Sequence, residues 1–447
     1  MAGFTAFSGF TDFADFCCPM VYPSFIEELR WRGMLHDATP GIDEHLAETM
    51  RTGYIGFDPT ARSLTIGNYV QIMMLALFQR SGHRPVVLMG GATGRIGDPS
   101  GKETERELKS YEELDSNLRH QEKQFHRFLN FQDGENRALM LNNLDFYRDM
   151  LVLDYLRDVG KHITINYMLA KESVQKRMDS GISYTEFSYQ LLQAYDFLCL
   201  YRNHRCTMQM GGSDQWGNIT SGTEFIRRNV ADGKAFAVTT PLLTKTDGSK
   251  FGKSEGGNIW LDPALTSPYQ FYQFWINADD RDVSRYLRFF SLKEHGEIEG
   301  LENLIATNPQ EVKRTLAEEM TIRVHSDEDY QSAMQVSELL FNTQAGMQEL
   351  FAMSDNALQM IASEIPMFRV PREVIASGVD IVDLLSAYTT ICSSKGEARK
   401  AIQGNAVSVN KDKISSIDHK LNTDTLLHDK YILLENGRKN KFIIIGS

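Results

Sequence analysis

Four stretches of this sequence hold residue types that could handle a polyphosphate and a small polar ligand. "FDPTARSLTIGNY" (57–69) carries a glycine turn between a strand-like run, Gly53–Phe57, and a helix-like run, Val70–Arg80. Amides at such a helix start favour an anion. Thr60, Thr65 and Asn68 add uncharged donors with no general base at neutral pH. "TKTDGSKFGKSEGG" (244–257) sets three lysines, Lys250 and Lys253 among them, between glycines and small polar residues. Such a loop can close ammonium groups over a polyphosphate, or it can be a solvated surface loop. "GGATGRIGDPSGKETER" (90–106) places the carboxylate of Asp98 ahead of two cations, Lys102 and Arg106. It is not a P-loop, because Ile96 stands where the first glycine belongs and Glu103 follows Lys102. It also fails the G-x-G-x-x-G fingerprint, and a turn needing positive φ is the alternative. In "EFSYQLLQAYDFLCLY" (186–201), Tyr189, Gln193 and Asp196 stand at i, i+4 and i+7 on one helix face. That polar stripe calls for a partner, either a ligand or a buried network.

The elements that would position these residues alternate. "TGYIGF", "RPVVLMG", "ALMLN", "CTMQMGG" and "AFAVTTPLL" read as buried strands, with helices expected at 103–130, 150–160, 185–203 and 214–229. Alternation of this kind predicts an α/β fold with a Rossmann-like parallel sheet, whose ligands lie beyond the carboxyl ends of the strands. Glycine-bearing stretches at 56–67, 90–101, 211–217 and 248–257 can then converge on one crevice. The expected domains are a catalytic domain over 20–243, a lysine-loop and helical domain over 244–343, a linker over 344–372 and a compact module over 373–447.

The chain has 447 residues, 42% hydrophobic and 24% charged, which suits a multi-domain globular protein. No apolar run approaches the roughly 20 residues that span a bilayer. Residues 1–19 contain no Lys or Arg and lack the basic flank of a targeting signal. They read as an extension of unknown role, with Met20 as a plausible start. Five cysteines without a C-x-x-C pair point to a reducing cytoplasm. Cys199, His204 and Cys206 lack a fourth zinc ligand, so no protein-held metal is expected. The net charge of −12 argues against a nonspecific nucleic-acid coat. Residues 371–447 nevertheless hold 11 basic against 9 acidic residues, so any RNA contact is local to this end.

Taken in order, these segments resemble the class I aminoacyl-tRNA synthetases, and among them the bacterial tyrosyl-tRNA synthetases, from about residue 20 to the end. "YIGFDPTARSLTIGN" occupies the place of the H-x-G-H motif and "KFGKS" (250–254) that of K-M-S-K-S. "GGATGRIGDPSGK", "YQLLQAYD" and "GGSDQWGN" stand for specificity and nucleotide segments. "SSKGEARKAIQGNAVSVNKDKI" (393–414) resembles a small α+β RNA-binding domain of the ribosomal-S-four type.

The resemblance implies a tyrosine–tRNA ligase that uses L-tyrosine, ATP and tRNA(Tyr), with Mg2+ arriving on ATP, in a homodimer. It implies that Tyr54 and Asp196 hold the phenol hydroxyl, and Asp98, Tyr189 and Gln193 the ammonium. Gln209 and Gln215 would lie near the carboxylate. Gly56, Asp58, Gly67, Gly212 and Asp214 would face ATP, with Lys250 and Lys253 on the pyrophosphate and Lys102 and Arg106 as further cations. Lys395, Arg399 and Lys400 would meet tRNA. The carboxylate nucleophile is already ionised, so catalysis is positioning and charge stabilisation, with Thr60, Thr65 and Asn68 as donors. Both motif histidines are absent, replaced by Thr65 and Asn68, and Ile55 stands where a small polar residue is usual. A tryptophanyl enzyme is disfavoured by Asp196 opposite Tyr54. A non-catalytic RNA-binding relative is the reading from another class.

Overall fold

The computed structural model describes residues 24–100, 108–178, 181–254, 257–341, 347–437 and 440–447. The expectations for residues 1–19 and for Lys102 and Arg106 lie outside these. The chain divides into two compact units: Met1–Leu265 with Ala278–Val312, and Thr266–Asn277 with Lys313–Ser447. This differs from the boundaries at 243, 343 and 372 expected above.

In the first unit, six strands form one sheet: β1 (Asp37–Ala38), β2 (Thr52–Phe57), β3 (Arg84–Met89), β4 (Leu139–Asn142), β5 (Cys206–Gly212) and β6 (Phe236–Thr240). Their spatial order is β1-β6-β5-β2-β3-β4; all neighbours are parallel except β1 with β6. All five apolar runs above are strands. Apart from the open Gly56 and the partly exposed β4, they are largely buried, as strands covered by crossover helices are. The order reverses between β2 and β5, where Tyr54 pairs in register with Gln209. A crevice beyond the carboxyl ends of these two strands is the expected ligand position.

Four helices frame that crevice: α1 (Ile66–Arg80), α2 (Tyr111–Phe125), α3 (Tyr184–His204) and α4 (Trp216–Asn229). The first corrects the sequence reading, since α1 begins at Ile66 and takes Gly67 into its first turn. The physical reason is its cap. Thr65 and Asn68 bond reciprocally across the first turn, satisfying amides that the glycine alone would leave open. Helix α2 is shorter than expected and starts at the Ser110 cap.

The second unit holds a five-stranded sheet in the order Asp412–Lys413, Val407–Val409, Tyr431–Asn436, Asn440–Gly446, Met367–Val370. The described part of the expected linker, residues 347–372, is built into this unit. It contains helices Met347–Phe351 and Asp355–Glu364, and a strand that pairs in parallel with Ile443–Gly446. Leu350, Met353, Leu358 and Ile361 share one apolar cluster with Tyr431, Leu433, Ile443 and Ile445. Burying that face stabilises the segment, so it is part of a core. Helix Lys395–Gln403 lies, as expected, just before the strand at Val407–Val409.

Candidate active site

A cavity of about 660 Å³ opens at the crevice. Its walls come from β2 and the loop after it (Tyr54, Gly56, Asp58, Thr60), the start of α1 (Thr65, Gly67, Asn68), and α3 (Tyr189, Gln193, Asp196). Asp98, Gln209, Gly212, Asp214 and Gln215 also line it. Residues from five separate stretches are thereby brought together. Lys250 and Lys253 are not on this wall and are exposed.

At the closed end, Asp196 is 1% exposed. Its oxygens accept from Tyr147 Oη at 2.7 Å and Asn143 Nδ2 at 2.9 Å. Burial pushes its carboxyl up to about 7; the two hydrogen bonds oppose this, and the charge of Asp58 adds to it. The Tyr54 hydroxyl is buried without a partner, and burial followed by the Asp196 charge holds it protonated far above its ordinary range. Gln193 Oε1 and Gln209 Oε1 are likewise buried without partners. Polar atoms out of water cost free energy unless something bonds them, so this wall is built to meet a polar ligand.

Further out, Asp98 accepts from Gln215 Nε2 at 2.7 Å and from Ser100 N at 2.9 Å. Asn218 Nδ2 lies 3.4 Å away from it. Tyr189 Oη donates to Asp58 at 2.9 Å, and Thr93 Oγ1 donates to the other oxygen at 2.7 Å. Gly90 is required here, because a Cβ on it would stand 2.0 Å from Asp58 Oδ1. Asp58 is thus engaged by Tyr189 and Thr93 on the cavity wall. Burial raises the carboxyl of Asp214 above its ordinary value, Asp98 adds to this, and Lys250 lowers it.

The two signature loops meet directly. Phe251 is buried against Tyr286 and Phe290, with ring centroids 5.1 and 5.3 Å away, which leaves Lys250 and Lys253 on either side in solvent. Gly252 has φ +81°, and a Cβ there would meet Ile66 Cγ2 at 2.5 Å. Ile259 N donates to Gly252 O at 3.0 Å, and Ile66 N to Ile259 O at 2.9 Å. Only glycine permits this backbone and this contact.

Several residues on the wall or bonded to it were not anticipated. Asn143 and Tyr147 follow the carboxyl end of β4, and that position alone could have flagged Asn143. Tyr147 carries no periodic signal. Gln71 is bonded to Thr240 at 3.0 Å, and its Oε1 has no partner. Cys206 Sγ faces Met208 O at 3.4 Å, and among the described residues no three His, Cys, Asp or Glu side chains converge as metal ligands.

The model of class I tRNA synthetases for tryptophan and tyrosine matches residues 48–342. That of the tyrosine–tRNA ligase SYY-like C-terminal domain matches 357–444. A tyrosine–tRNA ligase of Cytophaga hutchinsonii is 53% identical over 94% of this chain and 99% of its own length. The chain belongs to the tyrosine–tRNA ligase family. A ligase of Bacteroides fragilis is 50% identical over 95% of this chain and all of its own. Among solved structures, a C-terminally truncated mitochondrial tyrosyl-tRNA synthetase of Aspergillus nidulans matches with TM-score 0.64 and 30% identity, over 71% of this chain and 94% of that one. Membership makes this an ATP-dependent class I ligase and excludes the tryptophanyl alternative.

Proposed function

We propose that the chain activates L-tyrosine with ATP, releasing pyrophosphate, and passes the tyrosyl group to the 3′ end of tRNA(Tyr). The observation that carries the amino-acid choice is the unpartnered Tyr54 hydroxyl in the same buried wall as the Asp196 carboxylate. Tyr54 donates to the substrate phenol oxygen while Asp196 accepts the phenol proton. Asp98, Tyr189 and Gln193 receive the ammonium, and Gln209 and Gln215 orient the carboxylate. That carboxylate attacks the α-phosphorus, forming a C–O–P linkage as pyrophosphate departs, and no base is needed. Gly56, Gly67, Gly212 and Asp214 accommodate the nucleotide; Thr60, Asn68, Lys250 and Lys253 stabilise charge on the departing phosphates. Magnesium, held by phosphate oxygens and water, would enter with ATP and reduce their charge.

Lys395, Arg399 and Lys400 lie on one helix, with Arg399 and Lys400 exposed and Lys395 2.6 Å from Asp383, and are proposed to meet tRNA phosphates. A homodimer is supported by exposed Leu151, Val152, Leu153, Ile165 and Tyr184, each at least 65% accessible. Light scattering that gives the mass of one chain would refute the dimer. No helix among the described residues is long and apolar enough to cross a membrane, and the cytoplasm is the proposed location. Tyrosine-dependent ATP–pyrophosphate exchange, followed by charging of tRNA(Tyr), tests the function. Exchange without charging, or neither, would overturn it.

A further inference from the structure

Helix α2 presents three amides at i, i+4 and i+7, and each grips an alternate residue of the loop that leads from Asp58 to the start of α1. Asn117 Nδ2 donates to Pro59 O at 3.1 Å, Gln121 Nε2 to Ala61 O at 2.7 Å, and Gln124 Nε2 to Ser63 Oγ at 2.9 Å. Gln124 also accepts from Leu64 N at 2.9 Å. Asn117 is 6% and Gln121 1% exposed. Burying two such amides on a helix face costs more than an apolar face of the same shape, so the ladder does something that packing alone does not require. What it holds is informative: Thr60 sits between two gripped residues, and Thr65 follows the last of them.

The outer end of the ladder reaches the second signature. Ser63 Oγ, held by Gln124, accepts from Asp262 N at 3.1 Å, and Leu261 N donates to Leu64 O at 2.9 Å. Asp262 and Leu261 continue the segment that pins Gly252 and, through it, the loop of Lys250 and Lys253. We propose that Asn117, Gln121 and Gln124 are positioning residues of tyrosine activation: they fix Thr60 and the first turn of α1 relative to the lysine loop. This rests on the ligase reading above. Gln121 alone of the three lines the cavity, and it bonds there to Ala61 and not to Tyr54 or Asp196, so their loss should affect the phosphate chemistry and spare tyrosine binding.

The test compares Gln121→Met and Asn117→Leu with Leu118→Ala, a buried apolar change on the same helix. Pyrophosphate exchange and thermal midpoints are measured for each; Gln124→Met replaces either amide variant that does not fold. The amide variants should lower kcat by about 10- to 100-fold with KM for tyrosine within about twofold. Leu118→Ala should melt at least as early yet keep kcat within about twofold of wild type. Amide variants with wild-type kcat, or losses that Leu118→Ala reproduces at equal stability, would overturn the proposal while leaving the ligase reading intact. A wild-type chain without exchange would overturn both.

Discussion

Thr65 and Asn68 are bonded to each other across the first turn of α1. Thr65 N and Thr65 Oγ1 both donate to Asn68 Oδ1, at 2.9 and 2.8 Å, and Asn68 N donates back to Thr65 Oγ1 at 3.4 Å. The Thr65 proton is therefore engaged in the cap. Asn68 Nδ2 is the donor left for a phosphate, which divides the work of the missing histidines into a cap and a donor.

Asn68→Asp separates the two roles. Asp retains the cap acceptor and suits a helix N-terminus, so the thermal midpoint should change little. Without Nδ2, single-turnover adenylate formation should fall by about 10²-fold or more, with ATP binding less affected. Thr65→Val removes the cap and should cost about 1 kcal/mol of stability with a smaller loss of rate. A wild-type rate for Asn68→Asp would contradict the division.

The phenol clamp makes a prediction about selectivity. In Tyr54→Phe, one neutral hydrogen bond to the substrate is lost, about 1 kcal/mol, so preference for tyrosine over phenylalanine should fall several-fold. Asp196→Asn should lower it further, because a neutral amide oxygen replaces the charged acceptor of the phenol proton. The check is the ratio of kcat/KM for the two amino acids; an unchanged ratio in both variants would reject the clamp.

The Asp196 carboxyl, pushed up to about 7, gives a pH signature. The folded chain holds this proton more tightly than the unfolded chain does. The stability it contributes is present below the ordinary carboxylate range and lost as pH rises through about 7. The thermal midpoint of Asp196→Asn should therefore gain on that of wild type between about pH 4 and about pH 8. Ionised Asp196 is the better phenol acceptor, so kcat/KM for tyrosine should rise over the upper part of that window and flatten in the variant. Parallel profiles would refute the assignment.

The helix with Lys395, Arg399 and Lys400 should act on tRNA alone. The triple alanine variant should keep pyrophosphate exchange and charge tRNA with a higher KM. The slope of log KM against log salt should be shallower by about 2. Removing the whole end of the chain is a poorer test: stopping near residue 365 strips Tyr431, Leu433, Ile443 and Ile445 from the cluster around Leu350 and Leu358. Equal salt slopes for wild type and triple variant would show that these cations do not meet tRNA.

The sheet and its crevice could be read locally. Short apolar runs alternating with helical segments mark β2 to β6, and the polar stripe on α3 places Tyr189, Gln193 and Asp196 together. What stayed hidden depends on partners distant in sequence. Asn143 and Tyr147 show no spacing that points to Asp196, and β1 is a two-residue antiparallel edge without a pattern of its own. Residues 347–370 look irregular because their helices are short and their apolar side chains pack against strands about 70 to 95 residues later. The helix start at Ile66 is legible in the spacing of Thr65 and Asn68, which is that of a cap.

A site with Thr65 and Asn68 in place of the motif histidines is proposed to perform tyrosine activation. Pyrophosphate exchange on the purified chain, with tyrosine, phenylalanine or no amino acid, tests it most directly. Exchange should require tyrosine and fall by about 10²-fold or more in Asn68→Asp and in Lys253→Ala. No tyrosine-dependent exchange in the wild-type chain would contradict it.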